Sequence, residues 1–220
     1  MVEQSQKPEI DENALSRMIF TFGMETIGKL IKMKVLIVGM RGLGCEIAKN
    51  LILAGPAAVD IYDPTPCEER DQGANFFVDM ADVEAKKSRA QASVPRLAQL
   101  NGYCRVHALD KLSVEDHKNY NVVCYTENLN GIANLFEVNQ VCRENRVGFI
   151  LSETLGAMGY SFVDFGAKHV ITDKDGEFCK QFVIAHISNE KQPWVTVHED
   201  KRHSYQEGDT VVFRELEGMT

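Results

Sequence analysis

Lys34 to Gly55, KVLIVGMRGLGCEIAKNLILAG, is the stretch that decides the fold. Val35 to Val38 is a short unbroken apolar run, as a parallel strand covered on both faces requires. Gly39, Gly42 and Gly44 follow at once, so the strand runs into a glycine turn. Beyond it Leu43, Ile47, Leu51 and Ala54 recur every three or four residues, which predicts a helix with one face on a sheet, stopped by Gly55 and Pro56. A strand, glycine loop and helix in this order cradle phosphate in many proteins. The helix N-terminus offers free N–H groups and the positive end of its dipole, and the glycines let main chain touch a pyrophosphate.

The pattern here is G-x-x-G-x-G, and it departs from the binding version at one position. Two residues after Gly39, where a second glycine belongs, stands Arg41. Its guanidinium attracts phosphate, but its bulk prevents close backbone approach. The loop therefore reads as one that keeps the fold and loses the ligand.

On the N-terminal side, residues 1 to 12 read as a loose polar arm. Leu15, Met18, Ile19, Phe22, Ile27, Leu30 and Ile31 predict two short amphipathic helical pieces divided by Gly23. Arg17 lies in the first, and on spacing alone it is a solvated helix arginine. On the C-terminal side, Ala58 to Asp63 reads as a second strand ending in an acid. A dinucleotide fold places its ribose-binding carboxylate at such a position, so Asp63 is a candidate, while the acids of the following PTPCEERDQGAN fit a solvated polar loop. Val83 to Leu100 reads as a mostly helical run kinked at Pro95, Cys104 to Leu109 as a third strand and Asn121 to Thr126 as a fourth. Ile132 to Asn145 carries a helix with Leu135, Val138 and Val141/Cys142 on one face, and a fifth strand starts at Gly148. Alternating strand and helix predict a mostly parallel sheet with helices on both sides.

The rhythm changes near residue 160. YSFVDFG, HVIT, QFVIAHI, WVTVHED and TVVFREL read as short strands between the turn-like DKDGE, SNEKQP and YQEGD, which predicts an all-β, incomplete second domain. The boundary is set at residues 1 to 168 and 169 to 220.

The chain has 220 residues, of which 44% are hydrophobic and 25% charged, an ordinary globular composition. With 24 Lys plus Arg against 32 Asp plus Glu, its net charge of −8 argues against electrostatic binding to nucleic acid or to an anionic membrane. The six cysteines form no C-x-x-C pair, and the scattered histidines have no ligand spacing, so neither a metal site nor a redox motif is indicated. No apolar run approaches a membrane span, and a reducing, intracellular setting is expected.

SRMIFTFG (Ser16 to Gly23), VLIVGMRGLGCEIAKNLILAG, DFG and ITDKDGE, in this order, closely resemble the start of the ubiquitin-activating enzymes, the E1 family. The resemblance implies a Rossmann-like adenylation fold of the ThiF/MoeB type. Such enzymes contain two related copies of it, of which the C-terminal one binds ATP and Mg²⁺. Three departures mark this chain as similar to the copy that has lost the nucleotide. Arg41 replaces a loop glycine; Gly73 and Ala74 stand where an Asn and a phosphate-gripping Arg belong; and Thr126 occupies the place of the magnesium-binding Asp. Lys87 matches the family's active-site lysine. A degenerate nucleotide site of Gly39, Arg41, Gly42, Gly44, Asp63 and Lys87 is thus expected, without nucleotide bound.

The resemblance also gives Arg17 a catalytic role, reaching across to the phosphates of ATP held by the partner copy, a task that suits a planar, permanently charged fork. It implies as partners the active adenylation domain of the same chain, ubiquitin and E2 conjugating enzymes, and a cytoplasmic and nuclear location. The tail is similar to the opening of the first catalytic-cysteine half-domain, which favours the ubiquitin enzymes within the family. The thioester-forming cysteine lies elsewhere. Two other readings are open: a pure interaction module or regulatory subunit of an activating heterodimer, and a nicotinamide-dependent oxidoreductase, against which Arg41 and the helical arm count.

Overall fold

A computed structural model describes residues 12–171, 180–198, 203 and 205–215. The chain divides into two compact units, residues 1–171 and 172–220.

The first unit opens with α1 (Glu12–Leu30), broken at Gly23, whose φ of 78° and ψ of 155° divide it into the two expected pieces. Then follow β1 (Lys34–Val38), α2 (Gly42–Ala54), β2 (Ala58–Tyr62), a 3-10 turn (Glu69–Gly73), α3 (Met80–Glu84), α4 (Arg89–Leu97) and β3 (Arg105–Ala108). A second 3-10 turn (Val114–Asn119), β4 (Val122–Tyr125), α5 (Ile132–Glu144), β5 (Gly148–Leu155) and β6 (Met158–Asp164) complete it. The sheet order is β3-β2-β1-β4-β5-β6, parallel throughout except for β6, which returns antiparallel along β5.

The apolar run of β1 does what a doubly covered strand must. Val35 and Ile37 point to one face and pack with Ala48 and Ile52 of α2 and Leu97 of α4. Leu36 and Val38 point to the other and pack with Val123, Val138, Cys142 and Phe149. Helices therefore lie on both sides, as the alternating rhythm predicts, and Val35, Leu36, Ile37 and Val38 of β1 are all buried.

Two expectations from the sequence need correction. Val83 to Leu100 is not one kinked helix: the chain turns at Ala85 to Ser88, with Lys86 at φ 51°, and α4 starts afresh behind a reciprocal capping box of Ser88 and Gln91. Pro95 lies inside α4. YSFVDFG belongs to the parallel sheet's edge as β6 rather than to the β tail. In the second unit the described residues form one antiparallel pair, β7 (Ile184–Ile187) with β8 (Val195–Val197). The described parts of HVIT and TVVFREL are not strands, and DKDGE lies outside the described residues.

Asp82 of α3 locks the turn to α4. Its carboxylate accepts from Lys87 Nζ and Arg96 Nη1, each at 2.7 Å, while Arg96 Nη2 also meets Asp79. Burial works to raise the Asp82 pKa, but these two cations and the Asp79 N–H outweigh it, and the carboxyl is held far below the usual range. A depressed folded pKa contributes stability above the unfolded value, about 3.9, and the contribution is lost as pH falls through the folded pKa. Asp82→Asn should therefore be less stable than wild type at pH 7, and urea titrations should show the gap closing progressively below about pH 4. A gap independent of pH would show that the charge is not what matters.

Candidate functional site

The strand order reverses between β1 and β4, and in doubly wound sheets the ligand crevice opens there, beyond the carboxyl ends of the strands. The residues delivered to that point are the loop Gly39 to Gly44 after β1, Asp63 after β2, and Thr126 and Glu127 after β4.

The glycines are consumed by packing. Gly39 has φ 95°, a conformation that side-chain-bearing residues rarely adopt, and a Cβ on it would stand 2.8 Å from both Glu127 Cβ and Thr126 Oγ1. A Cβ on Gly44 would come within 2.1 Å of the Gly39 carbonyl oxygen and 2.8 Å of Thr126 Oγ1. One on Gly42 would be 3.0 Å from Ala74 Cβ. Thr126 is buried, and its hydroxyl lies 3.0 Å from the Gly39 carbonyl and 3.2 Å from that of Val38, so it ties β4 to the loop. Asn75, fully buried, holds the loop from the other side, donating to the Met40 carbonyl at 2.8 Å and to Ser93 Oγ at 3.0 Å.

At the start of α2 the N-cap N–H is taken by a carboxylate of the chain itself. Arg41 is the N-cap residue, and no side-chain hydrogen bond of its own caps the helix. Its N–H donates to Glu127 Oε1 at 3.1 Å, and its half-exposed guanidinium sits 3.4 Å from Glu127 Oε2. Burial, then the charge of Asp63, push the Glu127 carboxyl up, against the pull of Arg41 and Arg89. The cleft beside it, lined by Arg41, Gly42, Arg70, Asp71 and Ala74, measures about 160 Å³. Drug-sized ligands take clefts of about 300–1,000 Å³.

Asp63 is fully buried and already engaged. Its Oδ2 accepts from the Met40 N–H and its Oδ1 from the Thr65 N–H, both at 2.9 Å, so it braces the loop and does not present a free carboxylate to a ribose. Lys87 is not brought into the crevice; its Nζ goes to Asp82. The cation that does enter is Arg89, two residues on and fully buried. Its Nε donates to Asp71 Oδ2 at 2.8 Å, and its Nη1 lies 3.8 Å from Asp63 and from Glu127. Asp71 is thus buried and paired, not solvated as the polar loop suggests. Burial favours its neutral form, yet the Arg89 hydrogen bond and charge and the Glu68 N–H outweigh that and hold its carboxyl below the ordinary range.

Arg17 stands on the exposed side of α1's first piece. Its carbonyl accepts from Thr21 Oγ1. Among the described residues no group of His, Cys, Asp and Glu is arranged to hold a metal ion, and no helix is long and apolar enough to cross a membrane. Five cysteines are buried. Burial pushes the Cys45, Cys104 and Cys124 thiols up to about 11 and Cys142 up to about 12, which leaves none of them as a ready thiolate. Cys179 lies outside the described residues.

A doubly wound sheet with a glycine loop between β1 and α2 and an acid closing β2 defines a Rossmann-like domain of the nucleotide-binding kind. More narrowly, residues 15–185 match the ThiF family, and the chain belongs to that family. Residues 190–220 match the ubiquitin-activating enzyme E1 FCCH domain. The chain is 39% identical over 219 residues to "Ubiquitin-activating enzyme E1 1" of Arabidopsis thaliana, covering 98% of this chain and 20% of that protein. It is 36% identical over 218 residues to "Ubiquitin-activating enzyme E1 1" of Schizosaccharomyces pombe, covering 99% and 21%. It is 34% identical over 221 residues to "Ubiquitin-like modifier-activating enzyme 1" of Oryctolagus cuniculus, covering 100% and 20%. The likeness to E1 enzymes thus runs through the whole chain, which spans about a fifth of the length of the curated relatives it matches.

Proposed function

We propose that this chain is the N-terminal part of a ubiquitin-activating enzyme, and that its ThiF unit is the half without a working nucleotide site. The complete enzyme joins the ubiquitin C-terminus to AMP from ATP–Mg²⁺ and passes it to a cysteine thiolate in another part of the protein. One observation carries the assignment of this half: at the start of α2 the Arg41 N–H is taken by the chain's own Glu127 carboxylate, and the Arg41 side chain flanks the same point. The loop glycines lie in close contact with Thr126, Glu127 and Ala74.

The unit's partner is a second, active adenylation fold of the same enzyme. Apolar residues left in solvent support such pairing: Phe20, Phe22 and Met24 on α1, and Leu155, Met158, Tyr160 and Phe162 on the β5–β6 hairpin. Register pairs Leu155 with Met158 and Leu151 with Phe162, so the hairpin residues share one face. Arg17, exposed on the same helix as Phe20 and Phe22, is the group offered to the partner's ATP.

Arg17→Ala in the full-length enzyme should lower ubiquitin-dependent ATP–pyrophosphate exchange by about 10²-fold, the scale of one lost transition-state donor. Exchange at the wild-type rate would leave a pure interaction module as the better reading. Calorimetric titration of the 220-residue chain with ATP–Mg²⁺ should give no heat of binding, and micromolar affinity would refute the inactive-half assignment. Cytoplasmic and nuclear residence, and delivery of ubiquitin to E2 enzymes, belong to the same proposal.

A further inference from the structure

We propose that Glu127 is a tethered anion sealing a site for one small oxyanion at the start of α2, and that removing its side chain opens this site to inorganic phosphate or pyrophosphate. The inference rests on the reading of this unit as the half without a nucleotide.

Three observations lead there. First, α2 begins without a side-chain cap from its own N-cap residue, and the loop's one cap-position N–H donor, that of Arg41, is spent on Glu127 Oε1. The Arg41 guanidinium folds back onto the same carboxylate at 3.4 Å. A main-chain donor at a helix start and a guanidinium converging on two oxygens of one anion are how proteins hold phosphate. Second, and independently, Arg89 is fully buried with Nη1 and Nη2 lacking hydrogen-bond partners among the described residues. Nη1 faces Glu127 Oε2 from 3.8 Å, beyond hydrogen-bond reach. A buried guanidinium with two donor groups unspent is set for an anion that approaches more closely than the Glu127 side chain does. Third, the adjoining cleft of about 160 Å³, with Arg41 and Arg70 in its lining, is below nucleotide size.

The flanking acids do not block the exchange, because each has its own partners. Asp63 accepts two main-chain N–H groups, and Asp71 accepts from Arg89 Nε and the Glu68 N–H. In the variants one negative charge is gone from beside Arg41 and Arg89, and an incoming oxyanion supplies negative charge there again. Glu127 prevails in the native chain because it is covalently attached, and its effective concentration exceeds that of any free ion.

The test compares the 220-residue wild type with Glu127→Ala and Glu127→Ser. Melting curves and calorimetry are run with sodium phosphate and with sodium pyrophosphate, against sodium chloride of equal ionic strength. Both variants should bind at least about ten-fold more tightly than wild type, a difference of about 1.4 kcal/mol. Adding Arg41→Ala to either variant should abolish the gain. Glu127→Ser also clears the seat, so it carries the test if the alanine variant fails to fold. Variants that match wild type overturn the proposal, and so does a gain that persists without Arg41, which would place the ion elsewhere. Micromolar ATP–Mg²⁺ binding by wild type is a separate failure, since it sinks the inactive-half reading itself.

Discussion

Arg89→Leu lowers the unfolding free energy of the first unit by about 3–5 kcal/mol in urea titrations at pH 7. The expectation follows from what the guanidinium leaves behind. Asp63 and Asp71 are buried, Glu127 is mostly so, and the one cation buried among them is Arg89. Breaking a buried ion cluster by deleting one partner costs far more than the pair is worth, because uncompensated charge remains in a poorly solvated interior. The sign with pH is fixed by the carboxylates. In wild type the Asp71 pKa lies below its unfolded value, so its contribution is complete above about pH 4 and disappears as pH falls through the folded pKa. In the leucine variant the same carboxyl loses its partner and its pKa rises. The deficit between the two proteins should therefore be largest at neutral pH and shrink on acidification. Adding Asp71→Asn to Arg89→Leu should recover part of the loss, since the two side chains are in direct contact. A loss below about 1 kcal/mol, or a double variant no better than the single, would show the cluster to be solvated and the argument wrong.

Arg89 also marks where sequence reading stops. The β1 run, the loop glycines and the three-to-four spacing of α2 are local patterns, and each dictates its element because burial on both faces of a strand, or one face of a helix, leaves a periodic trace. Arg89 sits in VEAKKSRAQAS, where Lys86 and Lys87 are its neighbours, and nothing in composition separates a buried cation from two solvated ones. One signal was available: Ser88 followed three residues later by Gln91 is a capping box, which starts a helix at Arg89 and turns its first residue toward the ends of the strands. Glu127 carried a comparable hint, since the residue just past the strand beside the order reversal is where a doubly wound fold puts its site residues. The β5–β6 hairpin was obscured for another reason. A short alternating strand looks the same whether it edges a parallel sheet or opens a β domain, and only pairing with β5 decides.

Gly44→Ala should be the second severe variant, and its sign is set by packing against main chain. On helix propensity the change is favourable by up to about 1 kcal/mol, since Gly44 lies within α2. Geometry reverses that sign. The new Cβ would stand 2.1 Å from the Gly39 carbonyl oxygen and 2.8 Å from Thr126 Oγ1. The nearest obstacle is main chain, which cannot swing aside as a flexible side chain would, so α2 must shift from β1 and the Thr126 hydroxyl must leave the Gly39 carbonyl. Overpacking of this kind costs about 1–3 kcal/mol where side chains can yield, and the backbone contact puts Gly44→Ala at or above the upper end. Gly73→Ala is the control, because a Cβ there meets nothing within 4 Å and stability should be unchanged within about 0.5 kcal/mol. The third glycine of such a loop lies where helix and strand pack closely whether or not a ligand binds, so a large drop in urea midpoint is expected in the ligand-free chain. A variant as stable as wild type would show that α2 yields at this contact and that the geometric argument is wrong.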